Sequence, residues 1–323
     1  MSQSRLSTVL DQGLLHLPDG PLSVNRPPAG YDLSAVALDR LRISHGFRPD
    51  YDFWQATGAT ASLAPVAAPT TLVVLPRAKA LARGMIAQAC ALSGLVIVDG
   101  QRTDGVDSLW RELRGRLGEL PTVTKAHGRL FWFPVTDRLT DWAIAAPASD
   151  EAGFFRQPGV FSEAGVDHGS QVLAAALPAK LPARVADLGA GWGYLSAAAL
   201  TRTGLQQIDL IEAESLSLDC ARLNVADPRA QFIWADATRH TPDRGYDAVI
   251  MNPPFHAGRA AEPALGQAFI AAAARMLAPH GQLWMVSNRH LPYEAALREK
   301  FRNLAEVGRD GGFKVFHATR PLR

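Results

Sequence analysis

Two cysteines in 323 residues, Cys90 and Cys220, are too few and too far apart for a disulfide framework or a cysteine-based metal site. Both fall in stretches that read as helices, and both are expected to be core residues in a reducing compartment. No run of 18 apolar residues occurs, so no membrane helix is expected. Met1 to Leu17 holds one early arginine, Arg5, but no continuous apolar stretch and no small-residue cleavage site. It does not read as a secretory signal, and the expected location is the cytoplasm. An excess of one charge is missing too: the net charge is +2, with 15 Lys+Arg against 14 Asp+Glu in residues 1–150 and 18 against 17 in residues 151–323. Attraction to a polyanion would therefore need a local patch, because neither half offers a global field. Lysine is scarce, 5 of the 33 cations, but the Ala- and Leu-rich composition makes this a usage bias that says nothing about recognition.

The length suits two domains of roughly 150 residues each. Residues 1–60 carry little pattern; Asp32 to Leu41 reads as a helix, and Tyr51, Phe53 and Trp54 as core aromatics. From residue 70 the rhythm is βαβα: strand Thr70 to Leu75, helix Arg77 to Leu92, strand Gly94 to Asp99, helix Val106 to Leu117. A last strand, Leu130 to Val135, precedes a linker, Ala145 to Ala152. This sets a first domain at 1–145 and a second at 152–323. Neither Leu75-Pro76-Arg77 nor Asp99-Gly100-Gln101-Arg102 is a closely spaced glycine loop. The first half thus has the rhythm of a nucleotide-binding sheet without its ligand loop, and a structural or substrate-positioning role is expected. Lys125, His127 and Arg129 with Arg102 form a small candidate RNA-facing patch, or an ordinary solvated loop.

The second half opens with Phe154 to Ser162 and Gly165 to Ser170, glycine-flanked and led by Phe161, which suggests a lid over a pocket. Then comes Arg184-Val-Ala-Asp187-Leu-Gly189-Ala-Gly191-Trp-Gly193-Tyr194, a strand, tight turn and helix start. Such a turn lets backbone N–H groups approach an anionic ligand group at a helix N-terminus. A dinucleotide site calls for G-x-G-x-x-G; Asp187 followed by Gly189, Gly191 and Gly193 is instead the pattern of S-adenosylmethionine enzymes. Strands ending at Glu212, with Glu214 two positions on as an alternative, and at Asp236, which also reads as an ordinary turn acid, offer acids for ribose hydroxyls and an adenine amine, and Phe161 is counted with these cofactor residues.

The fourth successive strand, Tyr246 to Met251, ends in Asn252-Pro253-Pro254-Phe255-His256. Two prolines fix φ and donate nothing, so the Asn252 and Pro253 carbonyls are held in an extended turn. With the Asn252 side-chain oxygen they make acceptors for a planar NH2 group, and Phe255 offers a stacking face. The carboxyl-terminal strands around Asp310-Gly311-Gly312 read as a hairpin.

These residues resemble class I methyltransferases acting on planar amines. Gln157 to Ser162, Asp167 to Ser170, Asn252 to His256, Val286 to Tyr293 and Gly312 to Val315 resemble, more narrowly, the bacterial ribosomal RNA small-subunit guanine-N2 methyltransferases. The stretches Val96 to Ser108 and Lys125 to Phe131 resemble that family's degenerate first domain. The resemblance spans about residues 70–320, with Trp192 in the glycine turn and Glu212 in place of an aspartate as departures. It implies an α/β protein of two Rossmann-like methyltransferase-type domains, the second a seven-stranded mixed sheet and the first degenerate. It further implies S-adenosylmethionine as cofactor, Asn252 to Phe255 as the catalytic stretch and ribosomal RNA as substrate, with His256 and Arg289 as candidate RNA contacts. No metal, DNA or membrane partner is expected, and a monomer is. Large-subunit guanine, a protein glutamine amide, DNA adenine and a decayed cofactor-binding scaffold stay open as alternatives.

Overall fold

The computed structural model describes residues 4–254, 256–257, 260–261 and 263–322. The chain forms two compact units, Met1–Ala146 and Pro147–Arg323. In the first, the elements are α1 (Arg5–Asp11), β1 (Leu22–Asn25), β2 (Leu41–Ser44), α2 (Arg48–Ala56), β3 (Thr60–Ser62), β4 (Thr70–Val74), α3 (Lys79–Leu92), β5 (Leu95–Gln101), α4 (Val106–Leu117), β6 (Thr122–Lys125) and β7 (Gly128–Pro134). The seven strands run in the order β3-β2-β1-β4-β5-β7-β6, parallel through β5 and antiparallel at β7 and β6.

Residues 1–60 thus supply two central strands that the sequence does not announce. The helix expected over Asp32 to Leu41 is absent: a short 3-10 turn, Leu38–Arg40, leads straight into β2. The reason is local, since Leu22-Ser-Val-Asn25 and Leu41-Arg-Ile-Ser44 carry two apolar residues each and depend on partners far along the chain for their burial. Trp54 on α2 is core, whereas Phe53 beside it is more than a third exposed. Helix α1 is anchored by a buried charge cluster. Arg5 Nε and Nη2 donate to the Asp99 carboxylate at 2.5 and 3.1 Å, and Tyr31 Oη donates to Asp99 Oδ2 at 2.6 Å. Arg5 Nη1 also donates to the Lys125 carbonyl at 2.9 Å.

The second unit begins with a small ribbon, β8 (Ala148–Ser149) against β9 (Phe155–Arg156), so part of the stretch read as linker is paired strand. There follow α5 (His168–Ala176), β10 (Arg184–Leu188), α6 (Tyr194–Leu200), β11 (Gln207–Glu212), α7 (Ser215–Asn224), β12 (Ala230–Trp234), β13 (Tyr246–Met251), the two-residue strands β14 (His256–Ala257) and β15 (Ala260–Ala261), α8 (Pro263–Met276), β16 (Leu277–Asn288), α9 (Tyr293–Lys300), β17 (Phe301–Asp310) and β18 (Phe313–Pro321). The large sheet has the order β12-β11-β10-β13-β16-β18-β17, which is the first unit's order repeated with the same antiparallel end.

Strand alternation divides this sheet's core in two. Ala186, Leu188, Val249, Met251 and Leu283 face α8 and α9, packing with Phe269, Ile270 and Leu297. Val185, Ile208, Leu210, Ala248 and Ile250 face α5, α6 and α7 through Leu173, Leu195 and Leu218. By the same alternation Asp187 and Asn252 belong to the α5–α6 side. That parity decides what each of them meets.

Candidate active site

The glycine turn leaves β10 as the parallel sheet ends. Gly189 N–H donates to the Ile211 carbonyl at 2.8 Å, holding the turn over β11. Gly191 and Gly193 take φ of +57° and +93°, a left-handed backbone that side chains resist, and a Cβ on Gly193 would also stand 2.8 Å from Val225. Gly191 N–H donates to Glu212 Oε2 at 2.8 Å, and Glu214 N–H donates to Glu212 Oε1 at 2.7 Å. Glu212 therefore supports the turn from beneath. Burial raises its pKa, opposed by these two N–H groups.

Asp187 is fully buried and does not line the pocket. Ser196 Oγ on α6 donates to its Oδ2 at 2.7 Å, while Oδ1 has no partner among the described residues. Burial pushes its pKa up to about 7, with the Ser196 bond opposing and the Glu212 charge adding. Its visible contact ties the strand end to the helix behind the turn. Asp236 follows β12 and accepts from the Thr238 N–H at 2.8 Å and the Thr238 hydroxyl at 2.6 Å, shaping its own loop.

Asn252 stands at the carboxyl end of β13, beside the turn. Its amide nitrogen donates to Asp167 Oδ2 and to Ser170 Oγ, each at 2.8 Å. Its oxygen Oδ1 is buried and has no partner among the described residues. Pro253 is buried and Pro254 exposed; Phe255 and the His256 side chain lie outside the described residues. Arg289 is exposed in the loop after β16, where its backbone N–H donates to the Gly312 carbonyl at 2.8 Å and ties that loop to the β17–β18 turn.

A small pocket, with a cavity volume of about 40 Å³, opens between these parts, lined by Phe161, Asp167, Ser170, Gly191, Tyr194 and Asn252 among others. Phe161 is 60% exposed at this pocket. Trp192, inside the turn, is buried against Phe154 and Tyr194, and Asn224 on α7 donates to the backbone carbonyls of both Phe155 and Trp192. Of the residues named from sequence, the structure brings Asn252, Gly189, Gly191 and Phe161 to one pocket. Asp187 lies behind it, and Gly193, Glu212, Asp236 and Arg289 do not line it.

Sequence reasoning did not single out Asp167 and Ser170 for the site. The signal was present: Asp-x-x-Ser before an apolar helix is a capping pattern, and Asp167 is indeed the N-cap of α5, accepting from the Ser170 N–H at 2.8 Å.

Comparison with known proteins bears on this arrangement. A model of the methyltransferase small domain matches residues 151–317. The ribosomal RNA small subunit methyltransferase C of Shewanella sp. (strain MR-7) is 30% identical over 262 residues, 76% of either chain, and that of Hahella chejuensis is 30% identical over 68% of either chain. In three dimensions the chain is similar to a T. thermophilus 16S rRNA N2 methyltransferase solved with AdoMet and guanosine. That likeness has a TM-score of 0.81 and 26% identity, covering 98% of this chain and 92% of the other. By the matched domain and by relatives that share its sequence across both units, this chain belongs to the methyltransferase small domain family and, within it, to the ribosomal RNA small subunit methyltransferase C group.

Proposed function

We propose that the protein transfers a methyl group from S-adenosylmethionine to the exocyclic N2 amine of a guanine in 16S ribosomal RNA. The observation that carries this reading is the Asn252 side chain, whose nitrogen is consumed by Asp167 and Ser170 and whose buried oxygen is left to accept. An orphaned buried acceptor is costly unless a ligand completes it, and an NH2 group is the natural complement. The relatives' names and the guanosine-bound neighbour support guanine as the base and the small subunit as its source.

The cofactor supplies a methyl group already activated on a cationic sulfur. Residues of the chain fit it: the Gly189–Gly193 turn offers close backbone approach, and Glu212 and Asp236, at the neighbouring strand ends outside the lining of the described pocket, would be the partners of ribose and adenine. Asn252 Oδ1 and the Pro253 carbonyl would accept from the guanine amine, drawing its lone pair out of conjugation with the ring and aiming it at the methyl carbon. This effect strengthens toward the transition state. Phe255 would hold the base, which must leave any stack to enter. The methyl carbon would join N2 as its bond to sulfur breaks, the bonding pair staying on sulfur as a neutral thioether, and the surplus amine proton would leave to water.

The first unit repeats the sheet order but follows β1 with Arg26-Pro27-Pro28, where the second follows β10 with a glycine turn. We assign residues 1–145 a structural or RNA-positioning role and residues 152–323 the chemistry. We take the protein to act as a monomer, in the compartment that holds the ribosome.

The test is transfer of labelled methyl to purified small subunits, large subunits, naked ribosomal RNA and total protein, followed by nucleoside analysis. Label in N2-methylguanosine of 16S RNA is expected. Label in large-subunit RNA or in protein glutamine would overturn the substrate, and none anywhere, despite cofactor binding, would overturn the activity.

A further inference from the structure

We infer that Asp167 and Ser170 are positioning residues that fix the hydrogen-bonding polarity of Asn252, and so make the site select a base bearing an amine over one lacking it. The inference rests on the reading of Asn252 as the amine acceptor and adds what makes it one. An asparagine amide is nearly symmetric in shape: rotated half a turn, it presents two donors where it had presented an acceptor. Nothing in Asn252 or its prolines chooses between the two. Asp167 does, because its acceptor-only Oδ2 stands at 2.8 Å from Nδ2, and Ser170 Oγ, a hydroxyl that can accept or donate, adds a second acceptor at 2.8 Å once that orientation is set.

Asp167 can only accept when ionised, so turning the amide would set oxygen against oxygen in a part-buried place. Its carboxylate is itself held, as the N-cap of α5, by the Ser170 N–H at 2.8 Å. Gly169 makes room for this arrangement: a Cβ there would lie 3.1 Å from Asp167 Oδ2 and 2.9 Å from the Phe313 ring. The first turn of α5 thus presents two acceptors at a fixed place, opposite the end of β13. The amide oxygen is left buried and without a partner among the described residues, beside the pocket that Asp167, Ser170 and Asn252 all line.

Guanosine and inosine differ only by the 2-amino group, so their relative affinity reads the polarity of Asn252 directly. The wild-type protein with cofactor bound is expected to favour guanosine by roughly tenfold, the worth of about one well-made hydrogen bond. Asp167→Ala frees the amide, and the preference should fall to about unity together with the methyl-transfer rate. Asp167→Asn keeps a carbonyl oxygen for Asn252 and the Ser170 N–H and remains a good N-cap, so it should restore the preference. Ser170→Ala, which removes one of the two acceptors, should fall between.

Cofactor affinity, measured by calorimetry on the same variants, separates the rival role. If Asp167→Asn and Asp167→Ala both weaken cofactor binding while the preference persists, the carboxylate serves the cofactor's charge and the inference is overturned. It is equally overturned if Asp167→Ala leaves preference and rate unchanged. A wild-type protein that puts no methyl on guanine N2 would instead sink the functional reading, whatever the variants do.

Discussion

The indole N–H of Trp192 donates to the Phe161 carbonyl at 3.0 Å, so the segment ahead of α5 is fastened to the middle of the glycine turn itself. Arg156 stacks over the same indole at 5.3 Å, and Cys220 and Val160 close around it. The departure from the family pattern at this position thus joins the segment ahead of α5 to the glycine turn.

Trp192→Phe keeps an aromatic ring in this cluster but removes the donor. Cofactor affinity should weaken several-fold and residues 150–165 should become more open to protease, with a stability loss of about 1 kcal/mol, the net worth of an ordinary hydrogen bond. Calorimetry and limited proteolysis check it; unchanged proteolysis would detach Trp192 from any lid function.

Removing the acceptor itself should separate binding from chemistry. Asn252→Ala should reduce methyl transfer by about 10²–10³-fold, the range seen when one preorganised transition-state hydrogen bond is lost, and leave the cofactor dissociation constant nearly intact. Single-turnover rates together with calorimetry decide; joint loss of both properties would give Asn252 a structural role instead.

Asp187 links stability to pH. Its folded pKa is raised to about 7, chiefly by burial, against about 3.9 in an unfolded chain. Between these values the folded state holds more protons than the unfolded one. The contribution is therefore fully present below about pH 4 and lost as pH rises through 7. Asp187→Asn cannot ionise and still offers Ser196 an oxygen, so its stability relative to wild type should climb from pH 4 to 7 and then level off. Parallel urea-midpoint curves across that window would contradict the assignment. Asp187→Ala, which unties β10 from α6, should weaken cofactor binding through the loosened turn.

The buried Arg5–Asp99 pair makes a strong claim about residues that carry little sequence pattern. Arg5→Met should destabilise the protein by about 3–5 kcal/mol, because the buried Asp99 carboxylate would be left with Tyr31 as its remaining side-chain partner among the described residues. Arg5→Met combined with Asp99→Leu should recover much of this loss, and a denaturant series on the three proteins measures the coupling.

How much was legible follows from where each signal resides. Strand β13 spans Tyr246–Met251 as read, because its burial pattern is written in consecutive apolar residues and its end is marked by two prolines. The glycine turn was equally local, since φ of +57° and +93° demand glycine whatever the surroundings. Strands β1 and β2 were not legible, because Leu22-Ser-Val-Asn25 becomes a central strand only when β2 and β4 flank it in register.

By itself, then, the sequence determined the succession of strand ends, the glycine turn and the extended Asn-Pro-Pro stretch, all set by backbone restrictions within a few residues. Tertiary structure alone decided the orientations. Alternation along β10 turned Asp187 into the α6 side, where burial raises its pKa. The first turn of α5, 82 residues before Asn252, chose which way that amide faces. Such choices depend on the polarity of groups brought together across the fold, and no local pattern encodes them.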